Sequence, residues 1–477
     1  MNGTNIFGRM MRGAMALAAV ACFVGCTGNR LDGYFAKNGQ MDEREIALTE
    51  GITLATAAEY ENFILKGQAF TAENGEAALL FHSDGEQGYE ITIRNGAQDG
   101  SIKTGSLRSV RNLYRSLAQD GEWFDFELAV RGKNIAVKVN GVDVVCYTEP
   151  AKPYREAAHA AKLIGKGKIA LKGVKGDVKF RNLDMQTLAA DARNEADVMP
   201  PIDEQSDHII RYQQKDFPVI DWHVHLKGGL TKEMAHAMSM NYGINYGVAP
   251  NAGEGGVGRM LADDAEVRSY YEEVKNHPFL FGVQGEGRKW TQTFSQEALG
   301  IFDYLFTDAM TIIDHKKRNA RIYRAEEVIR DGVTLDQYME QIVDQTVKIL
   351  TNEPADIFAN ATYIPDDMNP DYDKYWTAER VDRVLDVMQQ NNIALEISAR
   401  YKIPSFDIIK EAKKRGLKFT FGTNNVDANF GRLEYCFEAV EECGLTVEDM
   451  WFPTMSVRRE RPVVIYNHFD ASGKRVK

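Results

Sequence analysis

A change of rhythm near residue 218 restricts the fold of this chain more than any other feature. Before it, apolar and polar residues alternate with period two in short runs bounded by Gly, Asn and Asp, as in YENFILKGQAF, GYEITIRNG, EWFDFELAVRG, NIAVKVNGVDVVCY, GKIALKG and DVKFRNLDM. Period two sends successive side chains to opposite faces of a strand, and Asn140-Gly141 is a hairpin signal. Residues 42–187 therefore read as an antiparallel β-sandwich. After Pro218 the pattern becomes strand then helix, repeated seven times, from FPVIDWHVH before TKEMAHAMSMNYG to KFTFGTNN before GRLEYCFEAVEECG. Repeated βα units imply a parallel sheet, and seven without a long interruption predict closure into a TIM-like α/β barrel over 218–450. A chain of 477 residues has room for both cores. Between them, 188–217 is acidic and broken by Pro200-Pro201, the pattern of an exposed connector; 451–477 is a C-terminal extension.

The first residues belong to neither core. Arg9 and Arg12 precede an apolar run at 14–24, shorter than the roughly 20 residues of a membrane span and suited to a secretory signal. The run ends FVGC and continues TGN, which resembles the lipobox of bacterial lipoproteins, with Phe23 where Leu is common. That resemblance implies removal of 1–25, lipid on Cys26, and export to the cell envelope with the lipid as the only membrane contact. Of the other cysteines in the exported part, Cys436 and Cys443 lie seven apart in a helical pattern. Their Cα atoms would be about 10 Å apart, beyond disulfide reach. A net charge of −12 without a basic stripe argues against a nucleic-acid partner.

Six blocks of the first half, YENF (60–63), GYE (88–90), TGS (104–106), GEW (121–123), VNG (139–141) and FRN (180–182), fall in the order found in the 3-keto-disaccharide hydrolase family, which this half resembles. The resemblance implies a concanavalin-like jelly roll and a sugar or oligosaccharide ligand. NGEAALLF stands where that family has an Asn-Ser-Gly block, and GEWF replaces GEWN, so the expectation here is sugar binding or scaffolding rather than hydrolysis. Trp123 and Tyr89 sit in strand patterns and are expected in the core.

In the second half, chemistry is expected at the carboxyl ends of the strands, where the following loops converge. Those ends carry His223 and His225, Asn251, Glu286, Asp308, Asn360, Glu396 and Asn424. His223 and His225 are two apart on a strand, so both can aim into the barrel mouth and offer nitrogens to one ion; Asp221, one step deeper, supports the pair or joins it. An Asp-x-His-x-His strand opening a seven-unit barrel resembles the PHP (polymerase and histidinol phosphatase) family of metal-dependent phosphoesterases. Glu286 in VQGEG and Glu396 in ALEIS match further acidic blocks of that family. Other blocks depart: APN closes the second strand instead of an Asp-His pair, Asn360 and Thr362 replace a His, and GTNNV replaces Gly-Ser-Asp-x-His, with Asn424 for the Asp. Neutral amides cannot hold several dications as carboxylates do.

The expectation is therefore one divalent ion, Zn²⁺, Mn²⁺ or Fe²⁺, on His223, His225 and Glu286, with Glu396 or Asp308 as a further ligand or general base. Arg288 and Arg400 follow Glu286 and Glu396 closely and are candidate clamps for an anionic substrate, with Lys227 as a third. Asn251, Asn360 and Asn424 are further substrate-binding candidates. Three functions remain open: a metal-dependent hydrolase of a glycan-derived or phosphorylated small molecule, a ligand-capturing lipoprotein with a degenerate barrel, and a lyase or isomerase using Glu286 and Glu396 as an acid/base pair.

Overall fold

The computed structural model describes residues 30–192, 201–253, 259–286, 288 and 290–457. The signal segment, Cys26 and 458–477 of the C-terminal extension lie outside the described residues.

The first half is two antiparallel sheets packed face to face. Six strands run in the order Ile46–Leu48, Val178–Thr187, Phe63–Thr71, Trp123–Arg131, Asn134–Val139 and Val142–Thr148; four run Thr53–Ala55, Lys168–Lys175, Glu76–Ser83 and Tyr89–Arg94. Phe63, Phe81, Tyr89, Leu128 and Phe180 meet in the core between them. Trp123 does not join it. It stays half-buried with the Arg181 guanidinium 4.0 Å above its ring, because its strand turns that position to the outer face. NGEAALLF supplies Glu76–Ser83, a strand without alternation: all eight residues are buried, since neighbouring strands flank it and both faces are covered.

The second half is a closed ring of seven parallel strands, named here β1 (Ile220–Val224), β2 (Asn245–Val248), β3 (Leu280–Glu286), β4 (Tyr304–Thr307), β5 (Ile357–Phe358), β6 (Ala394–Ser398) and β7 (Phe419–Gly422). β7 returns to pair with β1 at Phe421 and Asp221, which closes the ring. Helices cover its outside. The longest, Leu335–Asn352, starts at a reciprocal cap between Thr334 and Gln337 and buries Tyr338, Ile342, Val343, Ile349 and Leu350 along one stripe. Among the described residues the βα alternation is interrupted after β2 by two short parallel strands, Asn251–Gly253 and Met260–Leu261, and after β4 by an antiparallel hairpin of Thr311–Ile313 and Asn319–Arg321. Among the described residues no helix is long and apolar enough to cross a membrane.

Tyr304 fills the floor of the ring, its hydroxyl donating to the Trp222 carbonyl at 2.7 Å. Gly247 and Gly282 make room for it; a Cβ on either would lie 2.2 or 2.1 Å from Tyr304 atoms. Beneath this floor sits the sandwich. Arg115 donates to the Phe279 carbonyl and lies 3.4 Å from Asp303, Gln98 reaches Asp303 at 3.1 Å, and Asn245 donates to the Asn112 carbonyl at 2.7 Å. Phe279, Asp303 and Asn245 lie at the amino ends of β3, β4 and β2, so the sandwich plugs that end and leaves the carboxyl rim open.

The second part of the connector is not an exposed tether. Residues His208–Gln214 form a helix that buries Ile210 and Gln213, and Gln213 bonds Asn112 and the Gly243 carbonyl. Glu204 is buried with Arg155, 2.8 Å away. Acidic composition suggested solvation, but a partner arginine from the sandwich takes this carboxylate inside.

Gly282→Ala should drive a methyl into the Tyr304 ring and cost about 1–3 kcal/mol. The expected result is a lower urea midpoint at unchanged m-value; an unchanged midpoint would show that Tyr304 can leave the floor.

Candidate active site at the carboxyl rim of the barrel

β1 carries the two histidines to the rim through an irregularity in its pairing with β2 between Asp221 and Val224. Such a bulge shifts the face to which following side chains point. Trp222 packs on Tyr304 and Trp451 below, while His223 lies higher, against Phe306 and within 5.0 Å of the His225 ring centre. His223 Nδ1 meets Glu396 Oε2 at 2.7 Å, and Glu396 Oε1 accepts from the Asn360 backbone N–H at 2.8 Å. Gly422 makes this pair possible, because a Cβ there would stand 2.4 Å from Glu396 Oε2 and 2.8 Å from His223 Cβ. His223 Nε2 is buried without a hydrogen-bond partner.

His225 is the imidazole that reaches the pocket. Its Nδ1 lies 2.7 Å from the Ala249 carbonyl. A carbonyl only accepts, so Nδ1 holds the proton and Nε2 keeps a lone pair. Burial, His223 and Lys227 hold its pKa well below the usual histidine value, leaving the ring neutral. Asn425 fixes the backbone here, its side chain accepting from His225 N at 2.7 Å and donating to His225 O at 2.9 Å.

Above His225 opens a pocket of ≈ 360 Å³. Glu286, Gln284 and Asp308 line it together with Lys227, Arg400, Asn424, Asn251, Tyr323 and Tyr401. Gln284 donates to Asp308 Oδ2 at 3.0 Å, and the Met310 N–H donates to Oδ1 at 3.0 Å. Burial and the Asp308 carboxyl beside it push Glu286 up to about 8; burial raises Asp308 as well, against the pull of Arg288. Two carboxyl groups this close cannot both ionise cheaply, so they retain a proton at neutral pH.

The strand-end candidates thus fall into three groups. His225, Glu286, Asp308, Asn251, Asn424 and Arg400 share the pocket wall. His223, Glu396 and Asn360 lie beneath it; Glu396 anchors an imidazole instead of facing the pocket as a base, and Asn360 accepts from the Asn424 side chain at 3.2 Å. Asp221 and Arg288 do not line the pocket. The Asp221 carboxylate supports the histidine strand from below, accepting from His223 N at 3.2 Å, Thr423 N at 3.0 Å, Thr423 Oγ1 at 2.5 Å and Gly431 N at 2.9 Å. Arg288 is buried with Nη1 3.1 Å from Glu353, a carboxylate that also accepts from Trp290 and Thr307, and so cannot clamp a substrate. Gln284 was legible two residues before Glu286 on the same strand. Tyr323 was not, since it arrives on the inserted hairpin.

These side chains do not fit a metal centre as they stand. Holding Nδ1 and freeing Nε2, as both histidines do, is how ligating imidazoles are oriented. Yet among the described residues no three His, Cys, Asp or Glu side chains gather to hold an ion, and a catalytic zinc needs three protein ligands.

The low-field imidazole N–H resonance of the His223–Glu396 contact should be present in proton NMR spectra of the wild type and lost in Glu396→Gln and Gly422→Ala. Its survival in both variants would disprove the contact.

Several solved structures are similar to about a third of this chain. A candidate glycosyl hydrolase from Parabacteroides distasonis is 22% identical, with 31% of this chain and 89% of that chain covered at a TM-score of 0.28. Carbohydrate-binding module CBM66 from Bacillus subtilis is 12% identical over 28% of this chain and 81% of that one, at 0.22. A β-glucanase from Bacillus licheniformis is 12% identical over 33% and 83%, at 0.21. None of the curated proteins compared with the chain matches it. Residues 25–186 match the family model of the 3-keto-alpha-glucoside-1,2-lyase-like domain, a sugar-related family.

Proposed function

We propose that this protein is a sugar-processing enzyme of the cell envelope, in which the barrel performs general acid–base chemistry on a glycan-derived small molecule and the sandwich holds or pre-processes the sugar. The observation that carries this reading is one pocket lined by His225, whose Nε2 keeps a lone pair, and by the buried carboxyl pair of Glu286 and Asp308. A base and an acid in one pocket can remove a proton from water or from a substrate carbon and deliver one to a leaving oxygen, which serves both hydrolysis and β-elimination. The family match supports a sugar substrate.

The PHP resemblance belongs to this proposal as a relationship of fold and residue order. No step is assigned to a metal, because the donor set described above falls short of one. Export rests on the signal-like run and Cys26, so Cys26→Ala should move the protein from the membrane fraction to the soluble one; equal partitioning of both forms would refute the anchor.

The catalytic test is turnover of oxidised and unmodified disaccharides by the full chain, with and without chelator. Glu286→Gln should lower the rate by about 10²–10⁴ while substrate still binds. The sign with pH follows from the raised carboxyl: below about 8 the pair holds its proton and can act as acid, and above it the rate falls as that proton is lost. A rate abolished by chelator, or one unaffected by Glu286→Gln, would sink the acid–base reading.

A further inference from the structure

Most arginines and lysines of the barrel have carboxylate partners: Arg380 has Asp336 and Glu340, Arg318 has Asp314, and the buried Arg288 has Glu353. Two on the wall of the active-site pocket do not. The Lys227 side chain, half-buried on the loop after β1, makes no ion pair or hydrogen bond among the described residues. Arg400, on the loop after β6, spends Nη1 on the Asn424 carbonyl at 3.2 Å and stacks its guanidinium 4.8 Å over the Tyr401 ring. Burial and the nearby Arg400 disfavour the Lys227 charge, and Glu286 favours it. Holding two like charges in one half-enclosed pocket is unfavourable unless an anion comes between them. Glu286 attracts Lys227 without forming an ion pair among the described residues, and the proton its raised carboxyl retains leaves the two cations available to an anion from outside.

The rest of the wall suits a sugar carrying that anion. Asn251 and Asn424 are amides suited to hydroxyl groups, and the Tyr401 ring, braced at 4.9 Å by Tyr363, offers an apolar face. We propose that Lys227 and Arg400 form an oxyanion subsite, and that the molecule bound in the barrel is an acidic sugar bearing a carboxylate or phosphate. This rests on the sugar-processing reading above and specifies its substrate class. An anion bound there would share the pocket with the carboxyl pair and His225.

The test is calorimetric titration of the chelated full-length protein with glucuronate, glucose 6-phosphate and glucose at low and high salt. At low salt one of the two acidic sugars should bind about tenfold or more tighter than glucose, as expected for a charge-assisted pair. Which of them is preferred tells carboxylate from phosphate. The preference should shrink with salt and vanish in Lys227→Gln/Arg400→Gln, and it should persist in Glu286→Gln, which the acid–base reading expects to lose turnover alone. Equal binding of all three sugars, a preference that survives the double substitution, or no binding of any sugar would overturn the subsite. In the first two cases a Glu286-dependent turnover of neutral sugars would leave the catalytic reading intact.

Discussion

A parallel strand cannot meet its neighbour through a tight turn, so each of the seven strands in the second half reaches the next by way of other structure, and the sheet loses its free edges only where β7 pairs with β1. That closure determines nearly everything else. It directs all seven carboxyl ends to one rim, and it creates an interior that side chains must fill. Tyr304 fills it at the floor because Gly247 and Gly282 leave the space, and the His223–Glu396 contact fills it higher up because Gly422 does.

The two ends of the ring then serve different ends. The amino rim is covered by sandwich loops through Arg115, Gln98 and Asn112, so the sandwich supports the barrel from below instead of reaching over the pocket. The carboxyl rim is left to solvent. There two acids, Glu286 and Asp308, and two cations, Lys227 and Arg400, line one pocket with a neutral His225. Gathering them costs folding energy through like-charge proximity and burial, a pattern typical of sites that bind or react.

Much of this was legible before any coordinates. Strand-then-helix rhythm located all seven barrel strands, since a closed parallel sheet needs apolar runs and its helices need capped amphipathic stripes. Reading the strand ends found five residues of the pocket lining, His225, Asn251, Glu286, Asp308 and Asn424, and nearness to Glu396 added Arg400. Asp221 takes the supporting one of its two expected roles, accepting from the His223 backbone without reaching the pocket. Arg288 went astray because proximity to Glu286 in sequence says nothing of Glu353, which approaches from the end of a helix more than sixty residues away. Trp123 and the connector failed for the same kind of reason: burial depends on which partner covers a residue.

The amino-acid sequence by itself therefore determined the architecture of each half and the chemical types gathered at the rim, because periodicity and strand-end polarity are local properties. Only the tertiary structure decided which imidazole faces the pocket, which carboxylates share a proton, which cations lack a partner, and which end of the barrel the sandwich closes. Those depend on distances between segments far apart in the chain, and no local pattern encodes them.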